Sequence, residues 1–454
     1  MPVFFGVRCL FGLASALSEG YLVHALSRTK RGAESRILLV FLMTSAAMFV
    51  SSTTFLPGTF SMYCFTLATS GVLLGRRTLV ILACAVSVIL GWSVTIIAAV
   101  PYALWVLVTG ALLPSLLTAI LSSGAMLVAT FAADSYFYGR HVLSLHSFLS
   151  YNVYGSGDSA LYGVENSTYY LRNGTNSLNL LLPLSLLAPV LLLVGILVGS
   201  ERRANSGNFF VACSPQWLWI AAITILPHKE ERFLYVVYPQ ILLAAAYSAL
   251  VAGRACASIA KTKYKPLLRR LVVACVVIAT SLLSAARVGA LVSNYGASMR
   301  VYASLEGSSQ GMGEGGPPCV VCVGSEWYEY PSSFFVPQRC EMHFVRSGFG
   351  GVLPGHFNSS LGGTRHASEY LNDRNQADDR QYISDESRCT FLVSMRADDH
   401  IAQEKESDKW EVVRKLKYVN SGASGALYRA LFIPFLSSQK LVYNHYVLYK
   451  ARSA

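Results

Sequence analysis

The chain has 454 residues, of which 53% are hydrophobic and only 14% charged, with a mean hydropathy of +0.43 and a formal net charge of +12. This balance excludes an ordinary soluble domain, and the apolar residues fall in runs long enough to cross a bilayer at about 20 residues each. Residues 294–454 carry 17 Lys/Arg against 17 Asp/Glu, so the whole excess of +12 sits in residues 1–293.

The candidate membrane spans, in chain order, are 3–25, 37–54, 60–74, 79–99, 112–132, 180–199, 209–226, 233–251 and 271–291. The first has no basic n-region and no small-residue cleavage site, and it contains Arg8 and Glu19, so it is no signal peptide. Both charges are too far apart to pair at i,i+4, and each is expected to face a helix neighbour. Most of the basic residues of 1–293 form four patches, Arg28/Lys30/Arg31/Arg36, Arg76/Arg77, Arg202/Arg203 and Arg254/Lys261/Lys263/Lys265/Arg269/Arg270. Short Lys/Arg-rich loops face the cytoplasm, so these patches are topology signals and not a nucleic-acid surface. Segments 134–179, 228–232 and 292–454 are then expected on the luminal side. The sequons at Asn166, Asn173 and Asn358 all fall there. Between Arg77 and Asp134 the number of crossings must be odd, although Gly91-Trp92, Pro101 and Pro114 interrupt the apolar run. One full helix and a re-entrant pair of half-helices satisfy both conditions.

Two luminal segments carry candidate chemistry. Loop 134–179 sets Tyr136, Tyr138, Tyr151, Tyr154, Tyr162, Tyr169 and Tyr170 among Asp134, Asn152, Asp158, Glu165, Arg172 and Asn173. Aromatic faces interleaved with such groups suit sugar rings, and an interfacial aromatic belt is the alternative reading. The hexapeptide His228-Lys-Glu-Glu-Arg-Phe233 places five ionisable side chains between two apolar runs. Charge at a membrane boundary marks a functional site unless its cations simply snorkel into solvent.

The tail differs from all this. Residues 307–316 are a Gly/Ser-rich linker, and the runs 320–323, 334–336, 390–393 and 441–448 read as strands between polar turns such as 372–375. Cys319-Val-Val-Cys322 has a CxxC spacing but sits in a strand-like run without a second ligand pair, so metal and redox chemistry are not expected. Cys9, Cys64, Cys84, Cys213, Cys256 and Cys275 belong to or adjoin apolar spans. The two domains expected are 1–293, membrane-embedded, and 294–454, luminal.

The runs Asp134-Ser-Tyr-Phe-Tyr-Gly-Arg140, Tyr151-Asn-Val-Tyr154, Leu161-Tyr-Gly-Val-Glu165, Tyr170-Leu-Arg-Asn-Gly174 and His228–Phe233 resemble the dolichyl-phosphate-mannose-dependent mannosyltransferases of the endoplasmic reticulum. In the tail, Cys322-Val-Gly-Ser-Glu-Trp-Tyr328, Pro331-Ser-Ser-Phe-Phe335 and Pro434-Phe-Leu-Ser437 are similar to the α-1,2-mannosyltransferases that extend the lipid-linked N-glycan precursor. The resemblance implies an all-α polytopic membrane protein of GT-C type with a small C-terminal luminal α/β domain. It further implies dolichyl phosphate mannose as donor, a dolichyl-diphosphate oligosaccharide as acceptor, and no metal or other cofactor. Enzymes of the same family that serve GPI anchors or the α-1,6 branch match this tail less well.

For such a transfer, His228, Lys229 and Arg232 are the expected phosphate cations, with Arg172 and Arg140 behind them. Asp134, Tyr136, Tyr138, Tyr162, Glu165, Asn173, Glu230 and Glu231 are the expected sugar or acceptor contacts. Family members carry a luminal Asp-Glu loop after their first helix, its Asp regarded as the base, and no such loop precedes Arg8 here. The expectation is an N-terminally truncated sequence that is inactive as written, in which Glu165 is the best surviving substitute for the base. A catalytically incomplete membrane subunit and a transporter are the alternatives from other classes. The absence of internal repeats argues against the transporter.

Overall fold

The computed structural model describes residues 2–154, 159–198, 203–260, 263–309, 319–324, 333–346, 350–354, 362–366, 374–395 and 409–452. Asp158, Arg202, Lys261, the Asn358 sequon, Asn372, Asp373, most of the 307–316 linker and the 325–332 part of the tail motifs lie outside them. The chain divides into two compact units, one built mainly of residues 6–285 and the other mainly of 286–363 and 368–454. Their boundary falls inside a helix, somewhat before the 293/294 boundary expected from sequence.

The larger unit is helical. Its elements are α1 (Pro2–Arg28), α2 (Gly32–Thr44), α3 (Ala46–Ser51), α4 (Pro57–Leu74), α5 (Arg77–Val86), α6 (Ile96–Thr109), α7 (Leu112–Tyr138), α8 (Ser144–Leu149), α9 (Tyr169–Leu178), α10 (Leu181–Leu197), α11 (Arg203–Ile225), α12 (Tyr238–Ile259) and the start of α13 (Lys265–Tyr295). Among the described residues five helical stretches are long and apolar enough to cross a membrane, and the bent pair α9–α10 makes a sixth. The chain is a multi-span membrane protein.

Burial sorts the helices by neighbour. From Tyr238 to Leu250 every residue of α12 is buried, and α4 is buried along almost its whole length. By contrast, α7 exposes Leu113, Ile120, Leu121 and Val128, and α1 exposes Leu10, Leu13 and Leu17. Apolar side chains turned outward on rim helices fit hydrocarbon as their solvent. Inside, polar side chains tie helices together. The Thr69 hydroxyl of α4 shares a 2.7 Å hydrogen bond with the Tyr102 hydroxyl of α6 and accepts one from Gln240 Nε2 of α12 at 2.8 Å. Such bonds replace the hydrophobic drive that lipid removes from helix association.

Two expected spans and one expected loop are corrected. Span 37–54 is broken at Ser45, whose extended backbone (ψ 129°) separates α2 from α3. Span 79–99 is broken at Trp92. A π-helical turn, Ser87–Gly91, continues α5, and the chain resumes at Ser93 as the approach to α6. The cause is steric: a Cβ on Gly91 would stand 2.6 Å from Ser61 Oγ and 3.1 Å from Phe60 Cδ1. The Trp92 amide closes the π turn by donating to the Ser87 carbonyl at 2.8 Å and also reaches Ser61 Oγ at 3.2 Å. At the far end of this hairpin Gly110 returns beside Arg77, so α7 starts where α5 began. Of the helices between Arg77 and Asp134, α7 is long and apolar enough to cross a membrane, and the two apolar helices of the hairpin are shorter. Pro101 and Pro114 interrupt nothing: each lies inside its helix, Pro114 within the first turn of α7 where its missing N–H costs little. The third correction is that loop 134–179 is largely helical, holding the end of α7 and all of α8 and α9.

In the smaller unit the tail forms one five-stranded sheet, ordered β2-β1-β3-β5-β4, from β1 (Cys319–Val323), β2 (Cys340–Phe344), β3 (Phe391–Met395), β4 (Trp410–Val419) and β5 (Tyr443–Ala451). The β2-β1-β3 part is parallel and the β3-β5-β4 part antiparallel. The expected strand 334–336 is instead a 3-10 turn, Ser333–Phe335, whose Phe335 ring packs under the sheet. Cys319 and Cys322 lie an odd number of residues apart in β1 and so face opposite sides of the sheet. They form disulfides with Cys340 and Cys389 respectively, one in each core layer.

Candidate functional site

The motif 228–233 leaves α11 at Pro227 and re-enters helix through a 3-10 stretch, Glu231–Val237, ahead of α12. Its six residues divide by what they hold. Lys229 is only 6% exposed, and its ammonium donates to the backbone carbonyls of Glu165, at 2.8 Å, and Leu226. The Glu165 amide in turn donates to the Pro227 carbonyl at 3.0 Å. The expected phosphate cation Lys229 is therefore a tie that binds the 159–165 segment to the motif.

Glu230 organises the exposed half. Its carboxylate accepts from Arg232 NH2 and Nε, both at 2.6 Å, and lies 3.1 Å from His228 Nε2. Partial burial alone would raise the Glu230 carboxyl, but the Arg232 and His228 partners outweigh it and hold it below its ordinary value of 4.5. The other ring nitrogen of His228, Nδ1, faces the Gly163 carbonyl at 3.1 Å. Glu231 turns away, its carboxylate accepting from the Ser177 hydroxyl of α9.

Segments 134–179 and 228–232 thus meet. Tyr162 stands edge-on to His228 with ring centroids 6.1 Å apart, and Arg172 NH2 lies 3.6 Å from Glu165 Oε2 with both side chains substantially exposed. Asn173 donates to the Tyr169 carbonyl within α9 at 3.2 Å. Asp134, Tyr136 and Tyr138 belong to the end of α7. There Asp134 caps the Ser144 amide of α8 at 2.7 Å, and Tyr136 lies 5.8 Å beneath the Arg365 guanidinium. Arg140 follows in the turn between α7 and α8.

Arg232, 47% exposed, opens onto a cavity of about 220 Å³. Its other walls are Leu56, Pro57, Gly58, Trp92, Phe148 and Phe233. Five of these are not singled out by the sequence as site residues: Leu56 and Phe148, which nothing marks, and Pro57, Gly58 and Trp92. The signal for the last three was present, as Pro-Gly opening an apolar run and Gly-Trp breaking another. Gly58 is close enough to the Arg232 backbone that a Cβ would stand 3.4 Å from its carbonyl oxygen. The cavity therefore joins one cation to the N-terminal turn of an 18-residue helix, where free amides and the helix dipole favour an anion. Aromatic rings cover the rest: Trp92 packs on Phe233 at 5.2 Å and on Trp219 at 5.4 Å. No group of three His, Cys, Asp or Glu side chains suited to a metal ion occurs among the described residues.

Comparisons with known proteins bear on the family and the fold. The model of the Alg9-like mannosyltransferase family matches residues 1–337. The α-1,2-mannosyltransferase ALG9 of Arabidopsis thaliana is 36% identical over 460 residues, covering 98% of this chain and 77% of that protein. Its Homo sapiens counterpart is 32% identical over 468 residues, covering 100% of this chain and 76% of that protein. Among solved structures, ArnT from Cupriavidus metallidurans bound to undecaprenyl phosphate superposes with a TM-score of 0.51 at 12% identity, covering 90% of this chain and 82% of that one. That likeness is one of fold, and the fold is the GT-C type. The chain belongs to the Alg9-like mannosyltransferase family.

Proposed function

We propose that this mannosyltransferase moves mannose from dolichyl phosphate mannose to the lipid-linked oligosaccharide precursor of N-glycans, forming α-1,2 linkages on the luminal side of the endoplasmic reticulum membrane. The observation that carries the reading is the cavity in which Arg232 meets the first turn of α4. A hydroxyl of the acceptor gives its proton to a carboxylate base and attacks the anomeric carbon of mannose, the new C–O bond forms, and the bond from that carbon to the phosphate oxygen breaks. The leaving dolichyl phosphate gains negative charge as it departs, and Arg232 with the α4 amides is placed to take it up. His228, which shares the Glu230 carboxylate with Arg232, is assigned to the same role, with Arg172 and Arg140 as second choices, and Lys229 is left to hold the scaffold.

Glu230 keeps Arg232 oriented. Its lowered pKa makes it a poor proton acceptor, which suits a positioning residue better than a base. Glu165 is the exposed carboxylate of the cluster, and we assign it to the acceptor side together with Tyr162. An apolar cleft of about 350 Å³ between α5, α6 and α7 is lined by Val80, Cys84, Val88, Ile96 and Leu116. It runs beneath the hairpin whose tip is Trp92 and suits the isoprenoid chain of a lipid-borne substrate. The names of the relatives support the α-1,2 linkage.

The test compares two single variants in membranes bearing the protein. Arg232→Ala is expected to fold and to lower transfer about 10- to 100-fold, the equivalent of a charge-assisted contact worth roughly 1.5–3 kcal/mol. Lys229→Met is expected to lower the amount of folded protein, because the carbonyls of Glu165 and Leu226 lose the ammonium that ties them together. Equal transfer by Arg232→Ala and wild type would refute the phosphate site.

A further inference from the structure

A second cavity, of about 270 Å³, opens at the other end of α4, among Arg28, Lys30, Arg31, Leu73, Asn208 and Phe209. Gly58 lines the first cavity and Leu73 this one, about 15 residues apart on one helix, or roughly 22 Å at the α-helical rise. The two sites are therefore distinct.

Three cations line this cavity, and one of them, Arg31, is paired with a carboxylate. Arg31 is 6% exposed, with its guanidinium 4.3 Å above the Phe209 ring, 5.6 Å from the Tyr247 ring and 3.4 Å from Glu34 Oε1. Arg28 and Lys30 are exposed at the rim. Lys30 also has a left-handed backbone, φ 63°, in the turn that joins α1 to α2. That conformation is unfavourable for a side chain with a Cβ, and it recurs where loops clamp ligands. Charge alone would follow from the topology rule, which sets Lys/Arg at this end of the helices. A concavity with a desolvated arginine at its base and two exposed cations at its mouth does not follow from that rule.

We propose that this cavity binds a phosphate group, supplied in the membrane by the headgroup of an anionic phospholipid in the leaflet at that end of the bundle. The apolar walls Leu73 and Phe209 suit the glycerol end of such a lipid, and the net positive lining suits its phosphate. Occupancy would clasp the α1–α2 turn to α11. Asn208 Oδ1 of α11 already accepts from Trp105 Nε1 of α6 at 2.9 Å, so the clasp extends to three helices.

The experiment uses the whole chain in nanodiscs of neutral phosphatidylcholine, titrated with phosphatidic acid or with inorganic phosphate and read by native mass spectrometry and thermal stability. Phosphatidic acid is expected to bind saturably and raise the melting temperature. The double variant Arg28→Gln/Lys30→Gln should weaken that binding roughly 25-fold, at about fivefold per cation near a membrane surface. The matched double variant Lys265→Gln/Arg270→Gln, which removes two basic residues outside the cavity, should leave it unchanged. Saturable binding of inorganic phosphate that displaces phosphatidic acid and is lost in Arg28→Gln/Lys30→Gln would keep the phosphate site and assign it to a soluble ligand. Equal binding by wild type and Arg28→Gln/Lys30→Gln, or an equal loss in the Lys265/Arg270 variant, would overturn the proposal.

Discussion

Lys229 and Arg232 have the same formal charge and stand three positions apart, yet one is buried against carbonyls and the other lines a cavity. The sequence marks the cluster as ionisable at a membrane boundary. It does not say which cation is already committed, because Lys229 is committed to the backbone of Glu165, sixty-four positions away. Glu230 is the residue on which this division turns. Its folded value lies below 4.5, so its support of Arg232 is fully present above that pH and is lost as pH falls through the lower folded value. Transfer by the wild type is accordingly expected to show an acid limb below about pH 4.5 that Glu230→Gln lacks. The same variant should raise the donor KM at neutral pH, since Arg232 loses one of its two 2.6 Å acceptors and the negative charge. A pH profile and a donor titration on the two proteins check this together. An unchanged KM would remove Glu230 from the positioning role.

At the scale of elements, the hairpin of α5 and α6 shows what a sequence pattern carries and where it stops. Gly91-Trp92 is legible as an interruption, but that its tip docks beside Gly58 and Phe233 depends on contacts far away in the chain. The strands divide in the same way. β1 and β3 are buried on both faces and read as apolar runs. The edge strands β2 and β4 were missed, since Glu341 and His343 in one, and Glu411, Arg414, Lys415 and Lys417 in the other, hide them among polar turns. The glycine contacts yield a direct test. A Cβ at Gly71 would stand 2.7 Å from Val80 Cγ2 and 3.2 Å from the Arg76 carbonyl. Gly71→Ala is expected to cost about 1–3 kcal/mol by forcing α4 and α5 apart, measured as a lower melting temperature in detergent.

For the whole molecule, the charge partition of the sequence and the buried α4–α12 centre of the larger unit describe one protein whose two ends meet different surroundings. Sequons inserted near Gly313 are expected to be glycosylated and those near Lys263 are not, and the reverse pattern would invert the topology. The sheet unit adds an oxidising signature, because Cys322–Cys389 closes a span of 67 positions. Cys322→Ser with Cys389→Ser is expected to destabilise that unit by about 2–5 kcal/mol, read as protease sensitivity of the tail. The pairing itself was not legible from spacing, since Cys319 and Cys322 look like one CxxC unit until the pleat of β1 sends them to opposite faces. The most direct test of the assignment is product analysis. Membranes from cells expressing the protein at its native locus, and from cells lacking it, are supplied with labelled dolichyl phosphate mannose and lipid-linked oligosaccharide. The account expects label to enter the oligosaccharide only where the protein is present, to be released by an α-1,2-specific mannosidase, and to fall 10- to 100-fold with Arg232→Ala, about 1.4 kcal/mol per factor of ten. Incorporation that is independent of the protein, or label that resists that mannosidase, would contradict it.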